Sequence, residues 1–122
     1  MKAMKKTITL LLAVVLVASA FCLEAFASSR TKYGTFNGRD WSTKLTVGNF
    51  SVSGSIGYNG TNKDSVNVKY WVDCNWGSYW DVIPGTRTAS FYFAPKSDRI
   101  VSVDATYRIN NTKVNSYDDV TP

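Results

Sequence analysis

The 122-residue chain contains no histidine, and its one glutamate, Glu24, lies near the start. Of its two cysteines, Cys22 sits in the same leading stretch and Cys74 alone remains in the body of the chain. Each absence excludes something. Without histidine the Ser–His and Cys–His nucleophile arrangements cannot be built, and the commonest general base is missing. One thiol without imidazoles cannot complete a zinc site. A lone thiol also makes no internal disulfide, so stability has to come from packing. Runs of like charge are missing too, which argues against a nucleic-acid footprint. Helical periodicity is absent beyond the leading stretch, and no second apolar run is long enough to span a membrane.

What is present begins with a targeting signal. Lys2, Lys5 and Lys6 precede an apolar run over residues 8–21, and Ala25-Phe26-Ala27 follows with small residues where a signal peptidase reads them. Residues 1–27 therefore read as a secretory signal peptide cut between Ala27 and Ser28. An uncleaved anchor fits less well, because the run is short for spanning. Lipid modification at Cys22 fits less well again, because bulky Phe21 occupies a position that wants a small residue. Three of the 14 basic and one of the nine acidic residues precede Ser28, so residues 28–122 carry a net charge of +3. A single secreted domain of that size is expected, mildly attracted to anionic wall polymers or lipid headgroups.

Residues 65–81, SVNVKYWVDCNWGSYWD, hold three of the four tryptophans. Val66, Val68, Tyr70, Val72 and Cys74 point one way; Asn67, Lys69, Trp71, Asp73 and Asn75 point the other. This period of two marks a strand buried on one face. Cys74 continues the apolar face and is expected as a buried thiol, with an intermolecular bridge or a reactive group as the other readings.

The rest follows the same rhythm. Asn37-Gly38, Gly48-Asn49 and Asn59-Gly60 are turn pairs between short alternating segments. A two-residue turn at Gly48-Asn49 would set Val47 opposite Phe50, Leu45 opposite Val52 and Trp41 opposite Ile56. Phe36 and Gly34 then share Trp41's inward face. Residues 79–83 read as a short return strand stopped by Pro84-Gly85, with Cys74 opposite Tyr79, Asp73 opposite Trp80 and Trp71 opposite Val82. Residues 87–94 and the strand after the loop 95–99 read as a hairpin joining Phe93 to Val101. Asn110-Asn111 turns into a last strand ending near Tyr117, with Asp118 and Asp119 in a frayed tail. About eight short strands, each apolar on one side, predict an all-β, two-sheet antiparallel sandwich, with a small closed barrel as the alternative.

The outward residues of residues 65–81 carry the functional reading. Trp71, Trp80, Asp73 and Lys69 share one face, with Trp76 at the turn tip. Flat aromatic rings cover the apolar faces of pyranoses, while a carboxylate and an amine meet hydroxyls. The expected role is a non-enzymatic binding module for a glycan or cell-wall polymer. The competing structural reading buries this face as a second core layer. Two other roles fit the size and mild basicity: an antimicrobial or toxin-like β-protein acting at a cell surface, and a protein–protein inhibitor or surface-assembly subunit. Asp73 and Asp81, the nearest carboxylate pair for glycoside hydrolysis, have opposite parity and should diverge. No cofactor is expected, and Asp64, Asp118 and Asp119 do not form a 12-residue calcium loop. The Asn-x-Ser/Thr sequons at Asn49, Asn59 and Asn110 arise readily in a chain so rich in these residues.

The processing expectation is checked by intact-mass analysis of the exported protein, which should begin at Ser28. A membrane-retained product still carrying residues 1–27 would remove both the compartment and the charge assignment.

Overall fold

The computed structural model describes residues 27–122, so the expected signal peptide lies outside the described residues apart from Ala27. Eight strands follow: β1 Ser28–Phe36, β2 Arg39–Val47, β3 Val52–Tyr58, β4 Ser65–Cys74, β5 Ser78–Thr86, β6 Thr88–Phe93, β7 Ile100–Ile109 and β8 Thr112–Val120. They form two antiparallel four-stranded sheets, ordered β1-β2-β3-β6 and β5-β4-β7-β8. Two separate sheets make this the sandwich and not the barrel. The chain crosses between them three times, after β3, β5 and β6. No helix among the described residues is long and apolar enough to cross a membrane.

The alternation in sequence becomes the core directly. Trp41, Leu45, Val47, Val52 and Ile56 from the first sheet meet Val66, Val68, Tyr70, Val72, Val103, Ala105, Tyr107 and Ile109 from the second, all buried. Tyr70 on β4 stacks on Phe91 of β6 with ring centroids 4.1 Å apart, one of the aromatic contacts that join the sheets. Glycine makes room for it. A Cβ on Gly54 would run into the Phe91 ring, and one on Gly34 into the Trp41 ring. Most buried polar atoms are paired, as burial demands, with Asn67 Oδ1 the exception among the described residues. Asn115 donates to Thr43 Oγ1 at 2.8 Å, Thr43 and Tyr117 share a 2.9 Å bond, and Tyr107 donates to the Lys44 carbonyl at 2.6 Å. Burial pushes the Tyr107 phenol up from its ordinary pKa.

Asparagine places the tight turns. Asn37-Gly38 and Asn110-Asn111 all have positive φ, matching the right-handed twist of the strands they join, and Phe36 pairs with Arg39 and Gly34 with Trp41 as expected. Elsewhere the pairing departs from the sequence-based expectation. The β2–β3 connection takes four residues, closed by Gly48 N–H donating to the Ser51 carbonyl. Val47 therefore pairs with Val52, Leu45 with Gly54 and Trp41 with Tyr58, a slip of two that keeps every side chain on its face. Phe50 leaves the core side and is exposed.

The end of β5 also differs. Pro84-Gly85 does not stop this strand, because β5 is an edge and Pro84 needs no ladder partner for its missing N–H. The strand runs to Thr86, and Arg87, at φ 60°, alone carries the chain into the other sheet. β6 pairs with β3, and β7 with β4 and β8, so the expected β6–β7 hairpin is a crossover instead. A bulge between Asp73 and Cys74 turns Val101 outward and seats Ile100 in the core. The tail is not frayed: β8 reaches Val120, which is buried opposite Val103.

Truncation separates the two faces. Leu45→Ala should cost about 3 kcal/mol in chemical denaturation, and Gly54→Val roughly 2 kcal/mol by overpacking against Phe91. Lys44→Ala and Ser53→Ala, on the outer face, should stay within about 0.5 kcal/mol. Equal costs on both faces would contradict the assignment of the core.

Candidate functional site: the outer face of the β4–β5 hairpin

β4 is an interior strand of its sheet, so its inward residues Val68, Tyr70 and Val72 are locked into the core and its even spacing sends Lys69, Trp71 and Asp73 outward. The return strand supplies Trp80 and Val82. Cys74 N–H donates to the Gly77 carbonyl at 2.8 Å, which tightens the turn and pairs Asp73 with Ser78. Trp71 consequently lies directly opposite Trp80, and Lys69 opposite Val82, two residues off the expected register. This register makes the two indoles cross-strand neighbours.

The face is exposed. Trp71 retains 41% of its accessible surface and Trp80 60%, values incompatible with a second core layer among the described residues. Lys69 Nζ lies 5.6 Å from the Trp80 ring centroid, a cation–π contact. Asp73 Oδ1 accepts the Trp71 indole N–H at 2.8 Å and the Ser78 hydroxyl at 2.6 Å, so the Trp71 ring is held in one orientation. Ser102 donates to Asp73 Oδ2 at 3.5 Å, leaving that oxygen weakly engaged. The Ser78 and Trp71 donors, in that order, hold the Asp73 carboxyl below the usual carboxylate range.

Sequence reasoning missed the third column of the site. β7 pairs with the far side of β4 and brings Ser102, Asp104 and Thr106 beside Asp73, Trp71 and Lys69. One cross-strand row therefore reads Trp80, Trp71, Asp104, and the next reads Val82, Lys69, Thr106. The outward parity of Asp104 and Thr106 was visible in the alternation of β7. Their adjacency to Trp71 was not, because it depends on a pairing across more than 30 residues.

Other expected residues sit elsewhere. Trp76 is exposed at the hairpin tip, but its backbone N–H bonds to Asp98 at 3.2 Å, which ties it to the β6–β7 loop instead of the sheet face. Asp81 pairs with Tyr70 on the inward parity, away from Asp73. Cys74 is half-buried at the bulge rather than fully enclosed, and burial, with Asp98 and Asp73 nearby, raises its thiol pKa. Asp64 accepts bonds from Thr61 and Asn110 at one end of the fold, whereas Asp119 binds Asp104 Oδ1 through its backbone N–H toward the other. These carboxylates do not converge, and no group of three or more His, Cys, Asp or Glu side chains among the described residues is placed to hold a metal.

Comparison with protein-family models, curated proteins and solved structures finds no significant match for this chain. What the face can do follows from its own chemistry: two exposed indoles on paired strands, one fixed by a carboxylate, with hydroxyl, carboxylate and ammonium groups on neighbouring positions.

The Asp73 anchor has a pH signature. Its folded pKa is lowered, so the stability it lends is present above the unfolded value of about 3.9 and is lost as pH falls through the lower folded value. Tryptophan emission should change on the acid side of about pH 4 in the native protein, and that step should vanish in Asp73→Asn. An identical titration in the variant would remove Asp73 as the anchor of the Trp71 indole.

Proposed function

We propose that this protein is a secreted, non-enzymatic binding module that engages a glycan or cell-wall polymer through the outer face of β4, β5 and β7. The observation that carries it is the exposed cross-strand pair Trp71–Trp80, with Trp71 fixed by Asp73. A sugar ring stacks on an indole through its C–H face and needs polar partners at its rim. Asp104 and Thr106 supply these beside Trp71 and Lys69, and Asp73 Oδ2 retains accepting capacity. Fixing the Trp71 ring before binding reduces the ordering cost of association. Lys69 over Trp80 is no obstacle, since an exposed cation–π contact is worth only about 0.5–1 kcal/mol and yields to a ligand.

The openness of the site favours a polymer over a small molecule. The rings stand on a sheet surface and not in a cleft, so an extended chain can lie across them in several registers. The N-terminal apolar run and Ala25-Phe26-Ala27 support an extracellular setting in which such polymers occur. The absence of histidine throughout the chain, and the opposed parity of Asp73 and Asp81, support binding without turnover.

Titration of tryptophan fluorescence against a panel of wall polysaccharides tests this directly. Trp71→Ala and Trp80→Ala should each weaken binding by roughly 2 kcal/mol or more, while thermal stability falls by no more than about 1 kcal/mol. A collapse of the melting temperature in both variants, or undiminished polysaccharide binding, would end this reading.

A further inference from the structure

We propose that the end of the sandwich formed by the β2–β3, β4–β5 and β6–β7 connections docks on an anionic lipid bilayer, independently of the Trp71–Trp80 face. The three loops are bound into one framework. Ile100 N–H donates to the Asn49 carbonyl at 2.8 Å and the Arg99 guanidinium to Asn49 Oδ1 at 3.3 Å, joining the β2–β3 and β6–β7 loops. Asn75 N–H donates to the Arg99 carbonyl at 3.1 Å and Trp76 N–H to Asp98 Oδ2 at 3.2 Å, joining the β4–β5 turn to the same loop. On this framework stand two large apolar side chains that the core does not use. Phe50 is 63% exposed and Trp76 81%, the latter the most exposed large hydrophobic residue of those described.

Within the three loops the exposed charge has one sign, and Asp73, just outside them on β4, has its carboxylate engaged by Trp71 and Ser78. In residues 48–51, 75–77 and 94–99 the ionisable side chains are Lys96, Asp98 and Arg99. Asp98 is buried, with its carboxylate engaged by the backbone N–H groups of Trp76 and Arg99, so the charged side chains these loops expose are the two cations. Aromatic tips backed by exposed cations match an interface that is apolar below and anionic above. A glycan is a poorer fit here, because Phe50 offers no polar rim and the two rings stand on separate loops and not on paired strands. Trp76 also lies about four residues beyond the Trp71–Trp80 pair, roughly 13 Å along the hairpin.

The test uses the protein expressed from its full sequence in a secreting host, purified as that host processes it, and sedimented with vesicles. Wild type should bind equimolar phosphatidylglycerol–phosphatidylcholine vesicles with a blue shift of tryptophan emission, and should bind pure phosphatidylcholine at least tenfold more weakly. Phe50→Ser with Trp76→Ser should lower affinity for the anionic vesicles tenfold or more without moving the melting temperature. Lys96→Gln should lower it about fivefold, and about 1 M salt should release the protein. Trp71→Ala with Trp80→Ala should leave vesicle binding intact. Equal affinity for neutral and anionic vesicles, wild-type affinity in the Phe50/Trp76 double variant, or loss of vesicle binding in the Trp71/Trp80 variant would each overturn the proposal.

Discussion

The contact on which the rest depends is the stacking of Tyr70 on Phe91 across the two sheets. With Cys74 a free thiol, the two sheets are held together chiefly by side-chain packing, and this pair sits where an interior strand of one sheet faces β6 of the other. Gly54 leaves the space that Phe91 fills, so the stack depends on a missing side chain as much as on two present ones. Once Tyr70 is committed inward, the strand has no freedom left. Trp71 and Lys69 must point outward, because successive residues of a strand alternate.

The outer face is thus a consequence of the core. A tryptophan on the solvent side of an interior strand adds little to packing, and Asp73 holds it in place with a hydrogen bond. The edge position of β5 completes the arrangement. It accommodates Pro84, keeps Trp80 clear of any further strand, and lets the chain leave through Arg87 into the opposite sheet. At the far end of the same hairpin, the turn belongs to a loop framework. Its backbone bonds join three loops and leave Phe50 and Trp76 in solvent, so one hairpin contributes to two surfaces of different character.

The sequence alone determined the class of fold and the face of nearly every strand residue. Apolar alternation at Leu45, Val47, Val66, Val68, Tyr70 and Val72 has one low-energy solution, burial of that face, and the Asn37-Gly38 and Asn110-Asn111 turns adopt the positive φ their residues tolerate. It therefore also determined that Trp71, Asp73, Lys69 and Trp80 share a side. What it left open was register and partner. A slip of two residues preserves every inward and outward assignment, so period-two patterns cannot distinguish Trp71 opposite Val82 from Trp71 opposite Trp80. That choice was made by the backbone bond closing the turn at Cys74 and Gly77. Nor does alternation say which strand lies alongside which. The pairing of β7 with β4, which brings Asp104 and Thr106 to the tryptophans, and the bulge that turns Val101 outward, follow from packing one sheet on the other, and only the tertiary structure decided them.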